Sequence, residues 1–407
     1  METSATPQLD TTGTPTTLTS RPQSAPRLLH LQILRGVAAS LVVVDHSFLE
    51  LNSHGYGLDR FTRPATVTGY LGVAAFFILS GLIMVRMSDG LFGSISAAKL
   101  FLWHRFVRIV PMYWLATLLW YACYWRSRSY IVHPMRQLLL SLAFIPNYLA
   151  INNHMQPVLG QGWTLNYEIA FYLLFAFCLM LPAKYAILAL EAVLIIAAVA
   201  ATGHRVTIGD APGNAFAFYT SPVILLFGFG AMIAFVEKIL GNSARRWYPF
   251  SPALTLCIPP LMIFFILRTM SLPHLRIWFS FVALTVVILC TVTASDSKHP
   301  VNRLLVLLGD ASYSTYLFHQ WPIIWLAPVA ARIFRTLHGA PISPAIFIVC
   351  TILAANALGL AIHLVIERPI TRAFRSIRFG PTSDPKPRLD YPAASGSGTR
   401  SPASSTS

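Results

Sequence analysis

The stretch Leu31-Gln-Ile-Leu-Arg35-Gly-Val-Ala-Ala-Ser40-Leu-Val-Val-Val-Asp45-His46-Ser-Phe-Leu49 decides the fold. It is long and apolar enough to cross a bilayer, which takes roughly 20 residues of helix. Yet it carries Arg35, Asp45 and His46. An ionisable side chain at membrane depth costs at least ~2.5–3.5 kcal/mol on insertion scales, so each such group marks a functional site by default. Arg35 and His46 stand eleven residues apart, about three turns and ~16 Å, and therefore share one helix face. Asp45, a neighbour in sequence, points another way.

The rest of the chain repeats this pattern. Of the 407 residues, 55% are hydrophobic and only 11% charged, with mean hydropathy +0.60. Soluble domains carry about 25% charged residues, so this chain cannot cover its own surface in water. Ten apolar runs are near spanning length: 29–49, 70–87, 103–124, 165–182, 185–201, 218–237, 253–268, 276–294, 311–336 and 345–366. A segment around 137–150 suits a half-membrane or interfacial element. The expected fold is an all-α polytopic bundle of about ten transmembrane helices. The domain reading is a disordered cytosolic tail over 1–27, a membrane domain over 28–373 and a second disordered cytosolic tail over 374–407. Both tails are rich in Thr, Ser and Pro and lack an apolar stretch.

Charge sets the orientation. With both termini inside, the inner segments hold 18 Lys and Arg and the outer loops 10, as the positive-inside rule expects. This implies a multi-pass protein of the inner (plasma) membrane with cytosolic termini, and a lipid bilayer as its partner. The net charge of +15 would suggest nucleic acid in a soluble protein. Here the cations sit in loops and tails, and nucleic acid is not expected. The five cysteines all lie in apolar runs, and no His or Cys spacing suggests a metal.

Further polar groups interrupt the apolar runs. Arg105 and Arg108, spaced i, i+3 and followed by Pro111, form a fork for phosphate oxygens at the cytosolic mouth of the third helix. Glu168, in Trp163-Thr-Leu-Asn-Tyr-Glu168-Ile-Ala-Phe-Tyr172, is expected at the depth of His46, where a carboxylate can hold the imidazole's tautomer. Trp163 alone reads as an interfacial aromatic. Ser312, Tyr316 and His319 are spaced i, i+4 and i+7 on one face, with Tyr313 and Ser314 between them. Helix-packing hydrogen bonds account for the hydroxyls as well as chemistry does; His319 is harder to explain that way. Glu367-Arg368-Pro369 reads as an ion pair and a helix stop.

Taken in order, these segments resemble the family-3 membrane acyltransferases. The resemblance rests on Leu31 through His46, Gly72-Val-Ala-Ala-Phe76-Phe77-Ile-Leu-Ser80-Gly81, the Arg105/Arg108/Pro111/Tyr113 run, Trp163 through Tyr172, and Ser312-Tyr313-Ser314 through His319. The first two are closest to the exopolysaccharide-modifying branch. Ala74-Ala75 replaces a more usual polar residue, and Gln320-Trp321-Pro322 lengthens the usual His-x-Pro.

The resemblance implies acyl-CoA, usually acetyl-CoA, as cytosolic donor substrate, and a glycan hydroxyl outside as acceptor. No permanently bound cofactor is implied. It assigns Arg35, Arg105 and Arg108 to the donor, His46 to catalysis, and Glu168, Trp163 and His319 to the site. Asp45 joins the catalytic candidates, and Tyr313 and Ser314 the substrate-binding ones. His46 is then the expected general base on the acceptor hydroxyl, with acyl transfer through His46 itself as the other route. Two other classes remain open on the residues alone. A glycan or proton-coupled exporter would use the same groups as a relay. A non-catalytic member of a polysaccharide-assembly complex would need only the helices.

Overall fold

The computed structural model describes residues 26–56, 59–124, 134–149, 154–200, 215–240, 300–336 and 344–375. Within them the chain forms helices α1 (Pro26–Ser53), α2 (Asp59–Met87), α3 (Ile95–Tyr124), α4 (Pro134–Leu142), α5 (Trp163–Leu179), α6 (Ala183–Ala200), α7 (Ala215–Tyr219) and α8 (Leu225–Leu240). After a stretch outside the described residues come α9 (Pro300–Asp310), α10 (Ser312–Phe318), α11 (Gln320–Thr336), α12 (Pro344–Ile362), a π turn (His363–Glu367) and α13 (Arg368–Arg375). Between α4 and α5, Tyr148–Leu149 pairs antiparallel with His154–Met155 in a two-residue ribbon.

Among the described residues, seven helical segments are long and apolar enough to cross a membrane. They cover Leu31–Ser53, Ala65–Met87, Ile95–Cys123, Gly160–Leu179, Ala183–Ala200, Ala215–Ile239 and Pro344–Phe374. Large apolar side chains such as Phe177, Ile196, Leu353 and Val365 are exposed on their outer faces. Water would not tolerate so continuous an apolar girdle; lipid covers it. This is a helical membrane protein. The expected spans at 253–268 and 276–294 lie outside the described residues, as do most of both expected tails.

The span expected as one rod at 311–336 is broken. It starts earlier, at Pro300, and is divided at Ala311 and His319. Both residues keep right-handed angles (φ −77°, ψ −5°; φ −62°, ψ −26°), so the chain continues in helical sense through each. Pro322 has no N–H for the carbonyl of Phe318, which interrupts the ladder beside His319. The 137–150 segment is helical only to Leu142, the end of short helix α4, which is held to α3 by Trp114 Nε1 donating to the Leu142 carbonyl at 2.8 Å.

Helix α1 occupies the middle of the bundle and packs on α2, α9, α10, α11 and α12. Polar bonds tie it laterally: Ser47 Oγ meets Thr351 Oγ1 at 2.8 Å, and Asn356 Nδ2 donates to Ser40 Oγ at 3.2 Å. Apolar burial cannot drive association between helices already in lipid, so such bonds and close backbone approach must hold them. Close approach is severe between α2 and α8. A methyl group at Gly81 would run into the Phe227 carbonyl, and one at Gly230 into the Ile78 carbonyl. Ion pairs close the ends of these two helices: Arg86 with Glu237, and Lys238 with Asp89, each at 2.5 Å.

Because the obstructing atoms at Gly230 are backbone, the seam cannot relax by a rotamer change. Gly230→Ala should destabilise the protein by about 1–3 kcal/mol, the range for overpacking a tight core. Thermal unfolding in detergent measures it. An unchanged midpoint would mean that α2 and α8 are not packed this closely.

Candidate active site

Two polar constellations lie inside the bundle, and one residue joins them. The first is a cavity between α1, α2, α3, α5 and α10. Its charged lining is Arg35, Arg105, Arg108 and Glu168; its walls include Val73, Phe76, Phe77 and Ile83. The three arginines that sequence placed at a cytosolic mouth thus converge on one space. Arg35 comes from α1, and the i, i+3 pair from α3. Arg105 is 5% exposed, its guanidinium lies over the rings of Phe101 (5.3 Å) and Tyr172 (5.6 Å), and its Nε has no hydrogen-bond partner. Aromatic faces favour a cation while leaving guanidinium edges to a ligand. Arg35 donates a long 3.4 Å bond to Gln32.

Glu168 differs from its expected role. The expectation placed it beside His46; instead it belongs to the arginine cavity. Ser80 Oγ donates to Glu168 Oε1 at 2.9 Å, and the Tyr172 hydroxyl donates to the same oxygen. The physical reason is helical spacing. Glu168 and Tyr172 are i, i+4 neighbours on α5, and that face meets α2 at Ser80 and α3 at Arg105. A carboxylate among three guanidinium groups offsets their mutual repulsion.

The second constellation is a pair of imidazoles. His46 Nδ1 and His319 Nε2 are 2.7 Å apart, with ring centroids 4.8 Å apart and planes 19° from parallel. His319 is fully buried, and its Nδ1 lies 2.7 Å from the Tyr316 carbonyl oxygen. The partner of His46 is therefore His319 and not Glu168. Tyr316 is the joint between the two constellations. Its side chain lines the arginine cavity, and its main chain holds the imidazole pair. Its hydroxyl donates to the Gln161 carbonyl at 3.0 Å and lies 2.8 Å from Thr164 Oγ1.

The remaining candidates fall around this line. Tyr313 lines the cavity, and its hydroxyl donates to the Ile109 carbonyl in the turn before Pro111, at 2.8 Å. Ser314 is turned away: its hydroxyl donates to Glu367 Oε2 at 2.7 Å, which also meets His363 Nδ1 at 2.9 Å. Glu367 therefore pairs with Ser314 and His363, not with the Arg368 of the expected ion pair. Pro369 does not stop the helix either, for α13 runs on to Arg375. Trp163 packs edge-on against Phe77 (6.5 Å) and Tyr167 (5.9 Å). Asp45 faces Gly69 on α2, and its Oδ1 is buried with no hydrogen-bond partner. Among the described residues, no cluster of His, Cys, Asp and Glu has the arrangement of a metal site.

Sequence reasoning missed Ser80, Thr164 and Tyr172 as lining groups. Ser80 lies within the Gly72–Gly81 motif and Tyr172 ends the Trp163–Tyr172 one, and i, i+4 spacing from Glu168 is a usable signal for Tyr172.

Within a helical membrane bundle, Tyr316 thus connects an arginine-lined cavity, suited to an anionic ligand, with a pair of imidazoles suited to acid–base chemistry. The chain belongs to the family-3 acyltransferases: the model of that acyltransferase domain matches residues 29–362. It is an acyltransferase. It is similar to the exopolysaccharide production protein ExoZ of Rhizobium meliloti (strain 1021), with 32% identity over 313 residues, 76% of this chain and 92% of that protein. No solved structure matches it.

The cavity generates a specific expectation for the arginine pair. Arg105→Gln or Arg108→Gln should raise the apparent KM for acyl-CoA by roughly 10-fold or more, since a charged hydrogen bond contributes about 1.5–3 kcal/mol. Lysine at either position should rescue only in part, because it lacks the planar fork. Steady-state kinetics over a donor series would show this. Normal donor KM in both Gln variants would reduce the pair to lipid-headgroup anchors.

Proposed function

We propose that this acyltransferase moves an acyl group, acetyl in the simplest case, from cytosolic acyl-CoA to a hydroxyl of an extracytoplasmic glycan such as an exopolysaccharide. The observation that carries this reading is the continuity from Arg35, Arg105 and Arg108, through Tyr316, to His46 and His319. The arginines suit the phosphates of a nucleotide donor, which stay on the cytosolic side. The apolar walls at Val73, Phe76 and Phe77 suit the thin acyl-bearing arm, with the thioester reaching toward Tyr316. The role of that relative in exopolysaccharide production supports the choice of acceptor.

His46 acts as general base. It takes the proton of the acceptor hydroxyl as the oxygen attacks the thioester carbonyl, and the donor's sulfur departs. Cys178, the buried cysteine among the described residues, does not line the cavity and offers no competing nucleophile there. The orientation that follows from the cation distribution puts both termini in the cytosol and the protein in the inner (plasma) membrane. Partners in a polysaccharide-assembly complex are compatible with this placement.

The direct test is CoA release and glycan acylation by purified protein given acetyl-CoA and a glycan acceptor. His46→Ala should abolish transfer while donor binding and membrane insertion persist. His46→Gln, which keeps size and a hydrogen bond but takes up no proton, should lose about 10²-fold or more, within the range for general-base catalysis. Substantial transfer by His46→Gln would remove proton abstraction at His46 from the mechanism.

A further inference from the structure

The imidazole pair contains more information than its spacing. A carbonyl oxygen can only accept, so the 2.7 Å contact between His319 Nδ1 and the Tyr316 oxygen requires the proton on Nδ1. A neutral imidazole has one N–H, so His319 Nε2 carries a lone pair. That lone pair faces His46 Nδ1 at 2.7 Å, and the contact is a hydrogen bond only if His46 Nδ1 is the donor. A neutral His46 is then left with its lone pair on Nε2. The chain runs in one direction: His46 Nδ1–H to His319 Nε2, and His319 Nδ1–H to the Tyr316 carbonyl.

We propose that His319 is a positioning residue: anchored on the Tyr316 carbonyl, it fixes His46 in the Nδ1–H tautomer and so makes Nε2 of His46 the basic atom. This rests on the general-base reading of His46 and deepens it. A free imidazole distributes its proton over both nitrogens and turns about its χ angles. Here both freedoms are removed by a second imidazole whose own tautomer is set by main chain. The fold supports that anchor locally. His319 stands at the break before Pro322, where α10 hands over to α11, and it is fully buried. A leucine would fill the same space without the desolvation cost of two buried ring nitrogens. The use of both nitrogens in one ordered chain is what the apolar alternative lacks.

The arrangement also says where charge goes. When the acceptor O–H breaks, its proton bonds to His46 Nε2, and the new C–O bond forms as C–S breaks. The resulting imidazolium keeps its Nδ1–H on His319 Nε2, an acceptor already in place. The proton on Nε2 then leaves with the donor's thiolate sulfur, and the pair returns to its starting state. His46 and His319 are both restored, and no other co-reactant is needed.

Two substitutions separate positioning from packing. Glutamine at 319 offers an amide oxygen that accepts from His46 Nδ1–H; leucine offers none. The experiment measures kcat, KM for acyl-CoA and the thermal unfolding midpoint in detergent for wild type, His319→Leu and His319→Gln. His319→Leu should lower kcat by about 100-fold or more, since loss of a base's correct tautomer is expensive. Its KM for acyl-CoA should stay within about 2-fold, because the arginine cavity is untouched. His319→Gln should recover at least about 10-fold in kcat over His319→Leu, whichever of the two is the more stable. The proposal is overturned if His319→Leu keeps kcat within a few-fold of wild type, or if Gln is no better than Leu at equal stability. Wild type that releases no CoA with any acceptor would instead sink the acyl-transfer reading itself.

Discussion

Three guanidinium groups and a carboxylate are held together inside a helical bundle that lies in lipid, and the cost of keeping them there organises the rest of the molecule. In a medium without water, each charge needs a partner or a ligand. The partners come from separate helices. Glu168 arrives from α5, Ser80 from α2, the ring faces of Phe101 and Tyr172 from α3 and α5, and Arg35 from α1. Contacts within one helix, Arg35 with Gln32 and Glu168 with Tyr172, meet only part of this need, and contacts between helices meet the rest. The cavity therefore exists only when these helices are packed, and packing is itself made specific by the charges it must satisfy.

The glycine seam between α2 and α8 and the hydroxyl contacts of α1 with α12 serve the same end. Small residues let backbones touch, which sets helix position more sharply than interdigitated leucines in lipid can. Helix α1 gains most from this. It carries Arg35 into the charged cavity and His46 onto the imidazole pair, so both depend on one rigid rod. The proposed donor binding at Arg35 and proton abstraction at His46 then need no large motion to be brought into register.

Much of this was legible in the sequence, for a physical reason. Ionisable groups are rare in apolar runs, so Arg35, Arg105, Arg108, His46, Glu168 and His319 stood out before any fold was known. The face shared by Arg35 and His46 followed from helix geometry alone. What was not legible was which helices would meet. Glu168 was assigned to His46 by estimated depth, but depth says nothing about azimuth, and rotation of α5 turns the carboxylate to Ser80 and Arg105 instead. The His46–His319 contact joins residues 273 positions apart, and no local pattern encodes such a pairing. The break at His319 had a signal in Pro322, although a proline in a membrane helix marks a kink without saying which side chain the kink presents.

We propose that donor and acceptor meet across the membrane: phosphates on the arginine side, hydroxyl on the other, with the acyl group passing between. Oriented proteoliposomes test this directly, with labelled acyl-CoA confined to one compartment and the glycan acceptor to the other. Acylated glycan should form when the donor is on the face bearing the chain termini and the acceptor on the opposite face, and not in the reverse arrangement. Product formed only when both substrates share one compartment would contradict the account.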